Sequence, residues 1–399
     1  MTPPAYHALE TWLFDTAFPF WSTQGTDFDN GGFIERFTPA GEAIDDPRRA
    51  RLVARQIYAF AAAERLGWKG PARETVRHGL DYLLGHMIKG DAIAPLVHPG
   101  APDALTAFDL YDQAFVLFGL AAAAGLGEQT EDLTRIAIGI RERMILGWKH
   151  PDAGFEESTP RTLPLKANPH MHTLEASLAW AEVSDPDGRW SALADEIVEL
   201  CLVRFLDPET GALREYFDGD WAFLHGEAYD VVEPGHQSEW AWLLIRWGLA
   251  RGRPDAIEAA RRLIRIAEDC GVSDQDLAVN ELGPDLSVRV GRHRLWPQTE
   301  RVKACVALAW LAKDKSDAET ALANLERAAN GLLRFLDHPV PGAWWEHLEA
   351  DCTPALEPTR ASSLYHITCA ALEMSGLKEH DNLGGDGIAK SSPREPASV

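Results

Sequence analysis

Cysteine is scarce in this chain: five among 399 residues, an odd number, widely spread and with no CxxC pair. That excludes a disulfide framework or a thiolate zinc site as the organising principle, and Cys201, Cys270, Cys305, Cys352 and Cys369 are expected as reduced thiols. Long apolar runs are absent too. The longest, Ala114 to Leu126, is too short to cross a bilayer and suits a buried helix. The opening MTPPAYHALE has neither a basic nor an apolar signal region, so a cytoplasmic protein is expected. Positive charge is in deficit, with 38 Lys and Arg against 61 Asp and Glu, a formal net charge of −23. Phosphate backbones and anionic lipid surfaces are repelled by such a chain, so neither nucleic acid nor membrane is an expected partner. No Walker pattern, GxGxxG fingerprint or GxSxG elbow occurs, which sets aside nucleotide hydrolysis, dinucleotide chemistry and serine hydrolysis.

What is present is helix. Hydrophobic residues make up 46% and charged residues 25%, a globular balance, and apolar positions recur every three or four residues. The spacing predicts twelve helices, near 6–21, 48–66, 72–87, 106–125, 129–147, 169–183, 189–206, 236–251, 254–270, 298–312, 318–336 and 362–375. Asn168-Pro169 reads as an N-cap followed by an N1 proline, Pro254 as a first-turn proline, and Gly127 and Gly252 as helix stops.

The even-numbered helices begin at intervals of roughly 60 residues, so the chain reads as six helix pairs. Before several of them the sequence repeats glycine, aromatic, acid: Gly32-Phe33-Ile34-Glu35, Gly154-Phe155-Glu156-Glu157, Gly342-Ala343-Trp344-Trp345-Glu346 and, more weakly, Gly211 to Tyr216. These segments predict short β-hairpins over one face. An all-α fold of six pairs closed into an (α/α)6 barrel is expected, because no polar terminal repeat is present to cap an open solenoid. Residues 1–376 are expected as a single catalytic domain, and the polar, glycine-rich 377–399 as a disordered tail.

The polar residues collect at matching ends of the even helices. Arg51 and Arg55, then Tyr111, Asp112 and Gln113, then His170, His172 and Glu175 occupy the first three. His236, Glu239 and Trp240, then Trp296, Gln298 and Glu300, then Tyr365 and His366 occupy the others. In a ring of parallel inner helices those ends converge on one pocket. Taken singly, each histidine reads as a surface or core residue; His225 and His293 read as loop residues, His170 as solvated at a helix entry, and Trp296, Trp344 and Trp345 as core aromatics. Recurrence at three matching points argues otherwise for the histidines. The His-x-x-Glu pairs at 172–175 and 236–239 put two side chains on one helix face, which serves either a zinc, manganese or iron site or a metal-free orienting pair. Tryptophan beside many hydrogen-bonding groups suits a sugar. Two carboxylates alone would allow glycoside hydrolysis. Histidine better suits reversible proton transfer near neutral pH.

The motifs RLVARQIYAF (51–60), NPHMHTLEA (168–176), GHQSEWAWLL (235–244), WPQTERVKA (296–304) and SSLYHI (362–367) resemble those of the N-acylglucosamine 2-epimerase superfamily, in order and across about residues 5–375. The resemblance implies an (α/α)6 barrel that moves protons at C1 and C2 of a ring-opened sugar without a redox cofactor or metal. It implies His236 and His366 as the acid–base pair, Arg55 as the cation beside the oxyanion, and His172 as a further polarising group. Tyr111, Asn168, Glu239 and Trp296 are implied in substrate binding, with Arg51, Gln298 and Glu300 beside them. The expected reaction interconverts free D-mannose and D-fructose through a cis-enediol, with 2-epimerisation as the alternative and a glycoside-hydrolase or sugar-binding barrel as the alternative of another class. The expected partner is the monosaccharide alone, in a monomer or at most a dimer.

Overall fold

A computed structural model describes residues 4–99 and 105–382. Helix α1 (Pro4–Trp12) passes through a π turn into α2 (Phe18–Thr23), making one rod. There follow α3 (Ala50–Leu66), α4 (Ala72–Tyr82), α5 (Leu110–Ala124), α6 (Thr130–Trp148), α7 (Ala167–Val183) and α8 (Arg189–Leu200). The chain continues through α9 (Pro234–Arg251), α10 (Pro254–Asp269), α11 (Leu295–Trp310), α12 (Lys315–Phe335) and α13 (Ser362–Asn382). Among the described residues these form twelve rods, as the periodicity predicts. The expected tail overlaps α13 at its start, and 383–399 lie outside the described residues.

Six helices form the inner ring. Each of α3, α5, α7, α9 and α11 packs on the next, α11 packs on α13, and α13 returns to α3. The others form an outer ring, with α4, α6, α8, α10 and α12 each on the inner helix before it, while α1 contacts α12 and α13. Composition decides which is which. In α10 the buried residues Ala256, Ala260, Leu263, Ile264 and Ala267 form one stripe, as an outer helix requires. Inner helix α5 is buried almost all round and carries alanines and glycine where its neighbours approach. A Cβ on Gly119 would lie 2.8 Å from the Ala54 carbonyl oxygen of α3, so only glycine fits this crossing.

Local signals hold in part. Pro254 and Pro234 occupy first turns, and Gly252 ends α9 with φ 63°. Gly127 (φ 83°) does not stop α5, which ends at Ala124; it lies in the following turn. Asn168 is not the N-cap of α7. The strand Leu165–Lys166 runs directly into the helix, Lys166 is the cap, and Asn168 sits inside the first turn with its side chain released from capping.

The expected hairpins are mostly stitches between repeats. Arg36–Phe37 pairs with Ala43–Ile44 in its own loop and with Thr359–Arg360 of the last repeat, and Leu165–Lys166 pairs with Tyr216–Phe217. The glycine–aromatic motifs instead make single bridges to the end of the preceding outer helix, Thr26 to Phe33, Lys149 to Phe155 and Leu206 to Leu213. One long hairpin, Val279–Leu282 with Val288–Arg294, was not foreseen.

Candidate active site

The acids of the repeated loop motif organise the inner-helix entrances. The carbonyl oxygens of Glu35, Glu157, Glu215 and Glu346 accept from Ala361, Leu110, Ala167 and Leu295, at or beside the starts of α13, α5, α7 and α11. Three of the side chains also cap the next inner helix: Glu35 accepts from the Arg49 N–H at 2.8 Å, Glu157 from Lys166 at 2.7 Å and Glu346 from Arg360 at 2.8 Å. These bonds satisfy donors that a helix start leaves unpaired. The fourth, Glu215, turns to a side chain, accepting from His236 Nδ1 at 3.0 Å.

A cavity of about 160 Å³ lies at this end of the ring. Its wall includes Arg55 of α3, Tyr111 of α5, Asn168 and His172 of α7, His236 and Glu239 of α9, Trp296 of α11 and His366 of α13. All six inner helices therefore contribute, and eight of the eleven sequence-nominated residues meet there. Three do not line it. Arg51 pairs with Asp112 (3.2 Å) and lies over the Tyr111 ring, supporting that residue from behind. Glu300 is fully buried beneath His366 and accepts from its Nδ1 at 2.8 Å. Gln298 spends its amide on the scaffold, accepting from Ala278 N–H and donating to the Ala328 carbonyl, which ties α11 to the long hairpin and to α12.

Each of the three cavity histidines rests its Nδ1 on a carboxylate: His172 on Glu175 (3.1 Å), His236 on Glu215 and His366 on Glu300. That fixes ring orientation and leaves each Nε2 without a hydrogen-bond partner among the described residues. The two His-x-x-Glu pairs therefore differ. The first closes within α7, whereas Glu239 leaves His236 and lies 3.7 Å from Lys303. His170 is buried rather than solvated: it donates to the Lys166 carbonyl and accepts from Phe155 N–H, and burial pushes its pKa down to about 4. His293 is likewise structural, held by the Ala278 carbonyl, and His225 lies exposed beside Asp230. Trp344 is a core aromatic, stacked on Trp21. Trp296 stands between the two key imidazoles, 4.8 Å from His236 and 5.9 Å from His366 by ring centroids.

Electrostatics separates those imidazoles. Burial disfavours the charged form of His236, but Glu215 and Glu233 outweigh it and raise the pKa to about 10. His366 is pushed well below the ordinary histidine value, first by burial and then by Arg55 and Lys303. One ring is thus an imidazolium and the other a neutral imidazole at neutral pH, the arrangement a proton donor and a proton acceptor need. Arg55 sits 4.0 Å over the Phe115 ring and donates to the Tyr111 hydroxyl at 2.7 Å, a fixed charge against apolar walls.

Beneath the cavity lies a residue the sequence reading passed over. Lys303 is fully buried, 2.5 Å from Glu300 and 3.9 Å from the centre of the Trp242 ring. Burial opposes its charge, but Cys369, Glu300, Glu239 and Glu175 hold its pKa well above the ordinary value. Two groups, His172 with Glu175 and Glu239, and Glu239 with Glu300 and His366, are compact enough to hold a metal ion. Lys303 already supplies a positive charge to the second. Glu215 and Glu233 were also missed as partners of His236; the repeated glycine–aromatic–acid motif was the signal for Glu215.

The chain matches the family described as N-acylglucosamine 2-epimerase (GlcNAc 2-epimerase) over residues 32–370. It is 44% identical over 372 residues to a protein of Rhizobium meliloti (strain 1021) named mannose-6-phosphate isomerase, covering 92% of this chain and 95% of that one. Among solved structures, a cellobiose 2-epimerase from Bacillus thermoamylovorans B4167 superposes with a TM-score of 0.82 at 18% identity, over 93% of this chain and 99% of the other. A D-mannose isomerase superposes at 0.80 with 20% identity, over 93% and 97%. These two share the fold.

Proposed function

Because the chain belongs to the N-acylglucosamine 2-epimerase family, we propose that it is an aldose–ketose isomerase converting the D-mannose skeleton to that of D-fructose. The observation that carries this reading is the pair His236 and His366, both lining the cavity and both against Trp296, with proton affinities driven apart. The relative named for a mannose phosphate supports the sugar configuration.

A sugar α-proton is weakly acidic, so its removal needs an aligned base and stabilisation of the oxyanion that forms. The imidazolium of His236 gives a proton to the ring oxygen while the free Nε2 of His172 takes the C1 hydroxyl proton, so the C1–ring oxygen bond breaks and the C1 aldehyde is exposed. Neutral His366 takes the C2 proton through Nε2, and the C2–H electron pair forms the C1–C2 double bond while the aldehyde oxygen becomes the enediolate. Arg55 stands beside that charge, worth most in a water-poor pocket. His172 then gives its proton to O1, His236 takes the C2 hydroxyl proton as the C2 carbonyl forms, and His366 delivers to C1 a proton that has exchanged with solvent on its imidazole, which gives the ketose and restores all three rings. Tyr111, Asn168, His172, Glu239 and Trp296 hold the hydroxyls and the C–H face. The single domain of residues 1–376 performs all of this with no cofactor.

Return of a proton to C2 from the opposite face would give 2-epimerisation, and protonated His236 across Trp296 from His366 is the feature that favours it as the second reading. Proton NMR of chelator-treated enzyme with D-mannose in deuterated water tests the choice. Fructose carrying deuterium at C1 is expected. Glucose labelled at C2 as the first product would replace isomerase by epimerase.

A further inference from the structure

Acids outnumber bases 61 to 38 in this chain, so an arginine near the cavity normally finds a carboxylate. Arg48 pairs with Asp27, Arg49 with Glu35, Arg51 with Asp112, and Arg292 with Glu349 and Glu357. Arg294 is different. Its guanidinium lines the cavity, forms no ion pair or hydrogen bond among the described residues, and lies 5.8 Å over Trp296. Arg360 lines the same cavity, and its guanidinium makes no hydrogen bond among the described residues; it reaches a carboxylate only at 3.8 Å, at Glu357 Oε2, while the other Glu357 oxygen takes His347 and Arg292.

The cavity acids give neither guanidinium a hydrogen bond: that of Arg294 acts on Glu233, and that of Arg360 on Glu346, through charge alone. Glu233 faces His236 at 3.7 Å, and Glu346 spends its oxygens on Ser363, Trp344 Nε1 and the Arg360 N–H. Two guanidinium groups that line one cavity without a hydrogen bond among the described residues exceed what sugar hydroxyls need, and they match a dianionic oxyanion through charge-assisted hydrogen bonds. Arg55 lies apart on α3 among the Phe115, Tyr111 and Tyr365 rings, so Arg294 and Arg360 form a separate subsite.

We propose that Arg294 and Arg360 bind a phosphate ester on the sugar, so that the substrate is a hexose phosphate esterified away from the reacting C1 and C2, at C6. This rests on the isomerase reading and departs from the free-sugar expectation only at that end of the molecule. The subsite sits on the segments leading into α11 and α13, so the phosphate would also orient the chain of the opened sugar past Trp296.

The test compares kcat/KM for D-mannose 6-phosphate and D-mannose in the wild type, Arg294→Ala, Arg360→Ala and the double variant. The wild type should favour the phosphate at least ten-fold, each single variant should cut that ratio about ten- to hundred-fold, and the double variant should abolish it. A wild type that favours the free sugar, or variants that lower both rates in parallel, would overturn the subsite. Calorimetry with D-glucitol 6-phosphate and D-glucitol, which needs no turnover, separates the two proposals. If neither sugar reacts but the phosphorylated alditol binds ten-fold more tightly and Arg294→Ala removes the difference, the subsite stands and the isomerase reading falls. Equal binding of the two alditols removes the subsite.

Discussion

Glu215 lies 3.0 Å from His236 Nδ1, at the point of its loop where Glu35, Glu157 and Glu346 hold backbone N–H groups instead. One scaffold device thus serves three helix starts and, in the fourth repeat, a cavity histidine. A carboxylate on Nδ1 fixes the ring with Nε2 free and favours the charged imidazolium.

Glu215→Gln should therefore act on His236 before it acts on the fold. With its pKa raised to about 10, His236 remains a proton donor through neutral pH, and donor activity disappears as pH rises toward that value. Removing the Glu215 charge lowers the pKa, so the alkaline limb of the kcat profile should move to lower pH. At neutral pH kcat should fall about ten-fold or more, within the range that general acid–base assistance supplies. The same sign governs stability. A raised histidine pKa stabilises the native state fully below the unfolded value, about 6.5, and the gain is lost as pH climbs through about 10. Thermal melts at pH 6 and pH 10 should differ less in Glu215→Gln than in the wild type. An unmoved alkaline limb would show that Glu215 does not set the donor.

His366 makes the opposite prediction. Its pKa lies well below the ordinary histidine value, so the base is unprotonated across the neutral range and activity should hold flat there on the acid side. His366→Ala should lower kcat by about 10²–10⁴-fold and stop deuterium entering the product, with an unchanged circular dichroism spectrum. His236→Ala should also abolish turnover. Substantial activity in either variant would remove the proposed pair.

Arg55 is held by rings rather than by an acid, with Phe115, Tyr111 and Tyr365 all within 5.6 Å of its guanidinium carbon. Its charge is thus available to an enediolate. Arg55→Ala should lower kcat about 10²-fold or more, the scale of one lost oxyanion donor. Arg55→Lys should recover little, because a compact ammonium neither stacks nor keeps the Tyr111 bond in the same way. A variant that loses its cooperative melt instead of its turnover would make this arginine structural.

Helix existence and pairing were legible because a period of three to four residues and a repeat of roughly 60 residues are properties of the chain itself, and ring closure because no polar terminal repeat is present. So were the cavity histidines, since they recur at the same point of three separate repeats. Partners were not legible where they came from another element. His236 has Glu239 one helical turn away but takes Glu215, which is 21 residues back in a loop, and His366 takes Glu300 from a neighbouring inner helix. Gln298 shows the converse: a polar residue at the expected end of an inner helix that points sideways into the hairpin and α12. Lys303 escaped notice because a lysine in an apolar stretch reads as a surface interruption, and only the three surrounding carboxylates make its burial tolerable.

Lys303 also carries a prediction about metals. Glu239, Glu300 and His366 are close enough to ligate a cation, yet the Lys303 ammonium lies 2.5 Å from Glu300 and 3.7 Å from Glu239. A divalent ion entering this group would meet that charge at short range in a water-poor interior, where like charges repel strongly. Lysine thus does for these carboxylates what a metal would otherwise do. Extensive treatment with chelator should leave kcat unchanged within about two-fold, a margin smaller than the loss of any catalytic group. Loss of activity restored by zinc or manganese would refute this. Lys303→Met, close in length and uncharged, should leave two carboxylates uncompensated in the core and destabilise the fold by about 3–5 kcal/mol, the scale for breaking a buried ion pair. The melting temperature should recover in part when Glu300→Gln is added, because the second change removes the charge that the first leaves stranded. A double variant no more stable than Lys303→Met would show that the lysine contributes packing over Trp242 rather than charge.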